Sequence, residues 1–548
     1  MANETIAVGV LLESFDVPTW QHQLLEQLQK SDFISVRPLL VPLSGDATNR
    51  EQEPCTLLQV FERFQKPLQR IDLDACKSKN INNLFNEFTF IDFSEQQSSG
   101  QTELARDSRE EVSNYNFDVI LALTALDSID LFCTVAKYGV WFFWHDYGQT
   151  TCVDGSLVGL WEVLKRRPYI YSALVIRRDD TLENAIAYQS YSGIQPTSFD
   201  QSKNEHLWKV MSFVRRTLQR MHHEGAEQYM AELTGNTPEE TLNSAAQKWR
   251  LTNSRLFFPV TSYMLWRLWR KAVSKLFSER WMLWFTLTGD SEDLSSFDLI
   301  RPPIGRFWAD PFVLCRDGYS YIFFEDASVS SEHGHISVMR MQSDGTNTPP
   351  VKVIEKAYHL SYPFVFEWKN KTYMIPESAE NHSIELYGCS EFPHKWELMY
   401  SLMDDVLAFD TTLVEHDEVW WLFTNIQQHP GASSWDELYL FYSDSPISTQ
   451  WRPHPMNPIV SDVRRARPAG KIFTENGNLY RPSQDSSHRY GYGLNINRIV
   501  ELTKTTYREK LDRKILPDWR YSANAVHTIN QADQLIVVDA ICRFRRKH

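Results

Sequence analysis

The sequence predicts two folds in one chain, a doubly wound α/β domain followed by a five-bladed β-propeller. Three observations lead there. Over roughly the first 225 residues, continuous apolar runs alternate with helical stretches, the pattern of a parallel sheet buried on both faces. Over roughly the last 250, a hairpin-length pattern recurs five times at about fifty-residue spacing, as in a propeller with several strands per repeat. A chain of 548 residues is also too long for one ordinary core. The expected boundaries are 1–225 for the α/β domain, 226–278 for a helical connector and 279–548 for the propeller.

In the first part, Ile6 to Leu12 is apolar throughout and lacks a basic lead or small-residue cleavage site, so it reads as a buried strand and not a signal peptide. Trp20 to Lys30 has helical periodicity, and Ile34 to Val41 reads as the next strand. The apolar runs Phe117–Leu123 and Tyr138–His145 are further buried strands, with a helical stretch at Ser128–Lys137 between them. No G-x-G-x-x-G and no P-loop is present, so no cofactor is expected.

The connector carries six basic residues and one acid between Arg255 and Arg280, interleaved with Leu, Phe and Trp. Two readings stay open. Such a helix packs between domains, or it lies in an anionic membrane surface.

In the second part the repeats open at Trp308-Ala309-Asp310-Pro311-Phe312, Ser361-Tyr362-Pro363-Phe364, Phe409-Asp410-Thr411-Thr412, Ala466-Arg467-Pro468-Ala469 and Ala523-Asn524-Ala525-Val526. Fifteen residues after Asp310, Tyr362, Asp410, Arg467 and Asn524 come Glu325, Glu377, Asn425, Pro482 and Asp539. Two strands of about six residues and a short turn fill that interval, and a hairpin returns its last residue to the end where it began. Asp310, Glu325, Glu377, Asp410 and Arg467 are therefore expected to gather at one mouth. His527 is placed near it, and Arg467 and Arg481 are candidates to hold a substrate carboxylate or phosphate. No metal-ligand spacing is readable.

Composition narrows the function. The net charge of −14 excludes a general nucleic-acid binder. Aromatic content of 13% with 18 Trp fits stacking on sugar rings. The seven scattered cysteines show no C-x-x-C, which suggests reduced thiols and a cytoplasmic location, peripheral at the inner membrane surface if the connector lies on lipid. No apolar run approaches the roughly 18–20 residues needed to span a bilayer.

Gly139 to His145, Asp154-Gly155, Leu160-Trp161-Glu162-Val163-Leu164 and Leu182-Glu183-Asn184-Ala185 follow one another in an order that resembles the formyltransferase family. There a strand ends in Asn-x-His and a later acid opens a turn. Phe143 stands at the place of the Asn, and the acid falls on Glu183 or Asp180. Without an amide donor the resemblance implies a degenerate domain that binds a ligand or partner, with His145 a structural or ligand-contacting residue.

Arg306-Phe307-Trp308-Ala309-Asp310-Pro311-Phe312, Leu360-Ser361-Tyr362-Pro363-Phe364-Val365, Ile375-Pro376-Glu377-Ser378, Ile384-Glu385-Leu386-Tyr387 and Asp410-Thr411-Thr412-Leu413 resemble the N-terminal module of plant glucosamine inositolphosphorylceramide transferases. They also resemble bacterial proteins in which that module follows a formyltransferase-like domain. In the plant proteins glycosyl transfer is credited to a separate exostosin-type domain that this chain does not resemble, so the resemblance implies a glycan or glycolipid setting. The layout is also similar to the five-bladed arabinanase, invertase and levansucrase group. By position, that likeness implies Asp310 as base or nucleophile, Asp410 as orienting acid, and Glu377 or Glu325 as proton donor. Tyr362, Arg467, Arg481, Asn524 and His527 fall to substrate binding. The expected function is a carbohydrate-active enzyme, glycosyltransferase-like or glycosidase-like, in surface polysaccharide or glycolipid synthesis. The alternatives are a non-catalytic glycan-binding scaffold and N-formylation of an amino sugar.

Overall fold

In the computed structural model, residues 5–41, 56–65, 73–95, 102–124, 126–145, 155–178, 184–233, 252–288, 294–330, 333–517 and 523–545 are described. The chain forms two compact units. One comprises Met1–Ser190, Ile194–Trp266 and His429–Ala432, the other Tyr191–Gly193, Arg267–Gln428 and Ser433–His548.

The first unit is built on a seven-stranded sheet in the order Asn184–Ser192, Ile170–Arg177, Val140–His145, Val119–Ala122, Ile6–Leu12, Ile34–Leu40, Thr89–Phe90. Its centre is parallel, as continuous apolar runs require when both faces are covered. Val8, Val10, Leu121 and Trp141 pack into a core on one face, while Leu11, Ile120, Val140 and Phe142 pack on the other. The sheet is mixed, because Ile170–Arg177 runs antiparallel to Val140–His145. This unit also runs past the expected limit at residue 225. Leu256, Val260 and Tyr263, from the start of the helix Asn253–Leu276, are buried with Phe61, Leu160 and Phe199. That helix passes into the strand Phe277–Thr286 with no intervening residue.

The second unit contains five antiparallel sheets in sequence, each with a four-strand path, and is a five-bladed β-propeller. Blade one spans Arg306–Arg316 to Val351–Ile354, blade two Ser361–Trp368 to Lys395–Asp404, and blade three Ala408–His416 to Arg452–Pro453. Blade four spans Phe473–Glu475 to Tyr507–Ile515. Blade five takes its two inner strands, Ala523–Ala532 and Leu535–Arg545, from the end of the chain. Its two outer strands, Phe277–Thr286 and Asp298–Ile300, come from before blade one. Ten consecutive register pairs from Phe277↔Arg545 to Thr286↔Ile536 close the ring. Pairing early and late strands within one blade closes the ring, and radial repetition leaves only short, protected sheet edges.

Four inner strands carry the same irregularity. Between Ala309 and Phe312, Ser361 and Phe364, Phe409 and Thr412, and Val526 and Ile529, three steps on the inner strand face two on its partner. Each is a β-bulge, which re-aims the extra side chain. Asp310, Tyr362 and Asp410 occupy the first bulged position with φ of 51°, 42° and 54°, a left-handed conformation that non-glycine residues adopt at some cost.

Gly470 supports the same layer from blade four. Its φ is 135°, its N–H donates to the Tyr362 hydroxyl at 2.8 Å, and an added Cβ would lie 2.0 Å from the Ile529 carbonyl oxygen. We expect Gly470→Ala to lower stability by about 3 kcal/mol or more, read as a lower urea midpoint at unchanged slope.

Candidate active site

The bulges deliver polar side chains to one charged cluster. In blade three, Asp410 Oδ2 accepts from Arg467 Nε at 2.5 Å and Oδ1 from Nη2 at 3.3 Å. The same Nη2 reaches Glu377 Oε2 at 3.2 Å, so two carboxylates from different blades share one guanidinium nitrogen. Gln484 Nε2 adds a hydrogen bond to Asp410 Oδ2 at 3.0 Å. The Arg467 guanidinium lies 5.3 Å from the Phe409 ring centroid and 5.1 Å from that of Tyr490.

Across the cluster, Asp310 Oδ1 accepts from Thr528 Oγ1 at 2.7 Å and lies 3.6 Å from His527 Nε2. The other His527 nitrogen, Nδ1, is 2.7 Å from Asp539 Oδ2. Asp539 has no exposed surface and also accepts the backbone N–H groups of Asp310, His527 and Thr528 at 2.8, 3.2 and 2.9 Å. Trp281 stacks on His527 at 3.9 Å, and Tyr490 meets the same ring edge-on at 5.5 Å.

Five carboxyl groups, Asp310, Glu325, Glu377, Asp410 and Asp539, thus share this layer with the Arg467 guanidinium and the His527 imidazole. Burial pushes the Asp310 carboxyl up to about 6, with His527 opposing and Asp410 and Asp539 adding to the shift. Burial, then Asp310, Asp539 and Asp410, hold Glu325 well above the carboxylate range. Burial and Asp410 do the same to Glu377, against the pull of Arg467. Burial alone would lower the His527 imidazole, but Asp539 and Asp310 outweigh it and raise it. The site therefore sets carboxyl groups that burial and mutual repulsion push upward beside an Arg467 guanidinium that bridges two of them. Asp310, His527 and Asp539 offer ligand atoms within 4.8 Å of one another. The Asp539 oxygens are already engaged by three backbone amides and the imidazole, so the donor set suits a structural bracket better than a cation.

Of the residues singled out from sequence, Asp310, Glu325, Glu377, Asp410, Arg467 and His527 come together. Others do not join them. Arg481 is 1% exposed and grips Glu509 with two nitrogens, at 2.9 and 2.8 Å, so its fork is spent inside blade four. The Asn524 side chain bonds Glu279 at 3.2 Å, and His527 takes the bulged position in its blade. Tyr362 is fully buried, its hydroxyl held by Thr412 at 2.9 Å and the Gly470 N–H, which makes it a link between blades and not a ligand contact. Sequence reasoning missed Thr528, Gln484, Tyr490 and Trp281. Only the position of Thr528 beside His527 carried a signal.

In the first unit, Phe143 packs edge-on against Trp20 at 5.5 Å and supplies no amide donor. His145 Nδ1 bonds Ser172 Oγ at 2.6 Å, and that hydroxyl is 2.8 Å from His206 Nε2. Burial lowers the imidazole of His145 to about 4. Asp154, Asp180 and Glu183 lie outside the described residues.

Residues 301–527 match the family model described as glucosamine inositolphosphorylceramide transferase 1, N-terminal. The matched stretch contains every clustered side chain named above except Trp281, Thr528 and Asp539. The protein of that name from Oryza sativa subsp. japonica is 38% identical over 207 residues, covering 37% of this chain and 28% of the rice protein. Its namesake from Arabidopsis thaliana is 36% identical over 207 residues, covering 37% of this chain and 27% of its own. The chain thus spans little more than a quarter of the length of these curated relatives. Among solved structures, a family 117 glycoside hydrolase of Zobellia galactanivorans aligns with 44% of this chain and 85% of its own, at 12% identity and a TM-score of 0.32. An α-L-arabinofuranosidase of Podospora anserina aligns with 45% and 93%, at 9% identity and a TM-score of 0.33.

Asp310 supplies a pH test. Its carboxyl ionises near pH 6 when folded and near pH 4 when unfolded. The stability associated with its neutral form is therefore fully present below about pH 4 and lost as pH rises through about 6. Asp310→Asn is expected to be more stable than the parent at pH 7 by about 1–3 kcal/mol. Thermal melts across pH 4–7 should show that difference closing as the pH falls.

Proposed function

We propose that this protein is a carbohydrate-active enzyme that moves or hydrolyses a glycosyl group at the acidic mouth of its propeller, on a sugar or glycolipid substrate. The observation that carries the reading is the pair Glu377 and Asp410 on one Arg467 nitrogen, with Asp310 in the same charge cluster. Chemistry at an anomeric carbon needs one carboxyl that is ionised and another that is still protonated. Asp310, ionised above about pH 6, is the base or nucleophile. It either attacks the anomeric carbon or takes the proton from the incoming hydroxyl as the new C–O bond forms. Glu377, kept protonated by burial and by Asp410, gives its proton to the departing oxygen as the old C–O bond breaks. Asp410 fixes the guanidinium that orients Glu377, while Tyr490 and Trp281 supply apolar ring surface. Glu325, without a guanidinium contact, is the second protonated group and stands next to Asp310 by charge. The similarity to the N-terminal part of glucosamine inositolphosphorylceramide transferases supports a glycolipid or surface polysaccharide as the setting, at the cytoplasmic side of a membrane.

One observation favours a second reading, a glycan-binding module without turnover. Asp310, Glu325 and Asp410 are each 6% exposed or less, which suits a recognition layer as well as a reaction centre.

The test is turnover of a panel of nucleotide sugars and aryl glycosides by the full chain. The rate should rise with pH through about 6 and fall again at higher pH as Glu377 loses its proton. Asp310→Asn should cost at least about 10³-fold in kcat/KM with the fold intact. Glu377→Gln should spare substrates whose leaving group needs no protonation. Undiminished turnover by Asp310→Asn rules the mechanism out. Saturable glycan binding that survives Asp410→Asn, with no product from any donor, establishes the second reading.

A further inference from the structure

The helix Asn253–Leu276 presents apolar side chains that the fold does not use. Leu256, Val260 and Tyr263 are buried. Phe257, Phe258, Leu265, Leu268, Trp269 and Leu276 are between 52% and 77% exposed. At about 100° per residue these six fall within an arc of about 120°, a single stripe along the helix. Scattered exposed apolar residues need no explanation, but a contiguous stripe of this size on one element does.

The charge around the stripe indicates what covers it. Between Arg255 and Arg280 there are six basic residues and one acid, in a chain whose net charge is −14. Lys271 flanks one edge of the stripe by helical position, Arg255 flanks the other, and Lys275 lies at its C-terminal end; all three are exposed. Lysine and arginine stems of this kind lie along apolar surface while their heads reach outward. A second copy of the chain would bring two cationic stripes face to face, which like-charge repulsion opposes. An anionic lipid surface meets both demands at once: acyl chains for the stripe, headgroup phosphates for its rim. No helix among the described residues is long and apolar enough to cross a membrane.

We propose that the helix Asn253–Leu276 docks flat on an anionic phospholipid surface, with Phe257, Phe258, Leu265, Leu268, Trp269 and Leu276 in the acyl boundary and Arg255, Lys271 and Lys275 at the headgroups. This docking is independent of the chemistry assigned to the propeller. Membrane association of this type scales with buried apolar area and with attraction to anionic lipid.

The test is co-sedimentation of the full-length protein with vesicles of pure phosphatidylcholine, and with vesicles in which three-tenths of the lipid is phosphatidylglycerol. The protein should pellet with the anionic vesicles, at least about tenfold less with neutral ones, and less again as salt is raised. Leu268→Glu with Trp269→Glu should cut binding about tenfold or more while far-UV circular dichroism stays that of the parent. Lys271→Glu with Lys275→Glu gives an independent arm that leaves the apolar stripe whole and should abolish the preference for anionic lipid. Absence of vesicle binding by the parent, or binding that neither double variant weakens, overturns the proposal. A dimer in sedimentation velocity that Trp269→Glu splits, without vesicle binding, overturns it in favour of a contact between two copies.

Discussion

The carboxylate of Asp539 is completely enclosed and accepts three backbone N–H groups and an imidazole nitrogen. It belongs to blade five, yet one of those amides is that of Asp310 in blade one. Hydrogen bonds to a charged acceptor each contribute about 1.5–3 kcal/mol, and a carboxylate sealed from water has no alternative partner. This contact therefore ties the bulge of the first blade to the bulge of the last, and it sets where the Asp310 side chain points. His527, gripped by Asp539 on one nitrogen and facing Asp310 with the other, follows from the same constraint.

The rest of the layer is governed by an imbalance of charge. More carboxyl groups converge than Arg467 and His527 can neutralise, and little water reaches them. Taking charged carboxylates out of water costs several kcal/mol, and that penalty holds Glu325 and Glu377 well above the ordinary carboxylate range. Proton retention is thus a consequence of packing acids from several blades into one dry mouth. A less crowded ring with the same residues would titrate as ordinary carboxylates.

Much of this arrangement was legible in the sequence because a hairpin is arithmetic. The fifteen-residue interval from Asp310 to Glu325 and from Tyr362 to Glu377 does return the chain to the same end, as the pairs Ala309↔Glu325 and Ser361↔Glu377 display. What the interval could not reveal is the bulge. A bulge leaves no residue-type signature of its own, since Asp, Tyr and His all occupy it here, and it decides which side chain turns inward. That is why the sequence points to Asn524 as well as His527 in the last repeat, although His527 alone of the two sits in the bulge. Arg481 was misplaced for a related reason: its partner Glu509 lies two strands away and announces nothing at position 481. In the first unit the parallel strands were readable from their unbroken apolar runs. The antiparallel Ile170–Arg177 was not, because burial on both faces imposes the same composition whichever way a strand runs.

The seam in blade five has a consequence for how the molecule is made. Its outer strand, Phe277–Thr286, leaves the ribosome more than 230 residues before its partner Leu535–Arg545. During synthesis the four preceding blades accumulate as an unsealed arc whose leading strand waits for Leu535–Arg545. The order of events is written into the connectivity: the ring and its acidic layer close only after the strand Leu535–Arg545 has been made.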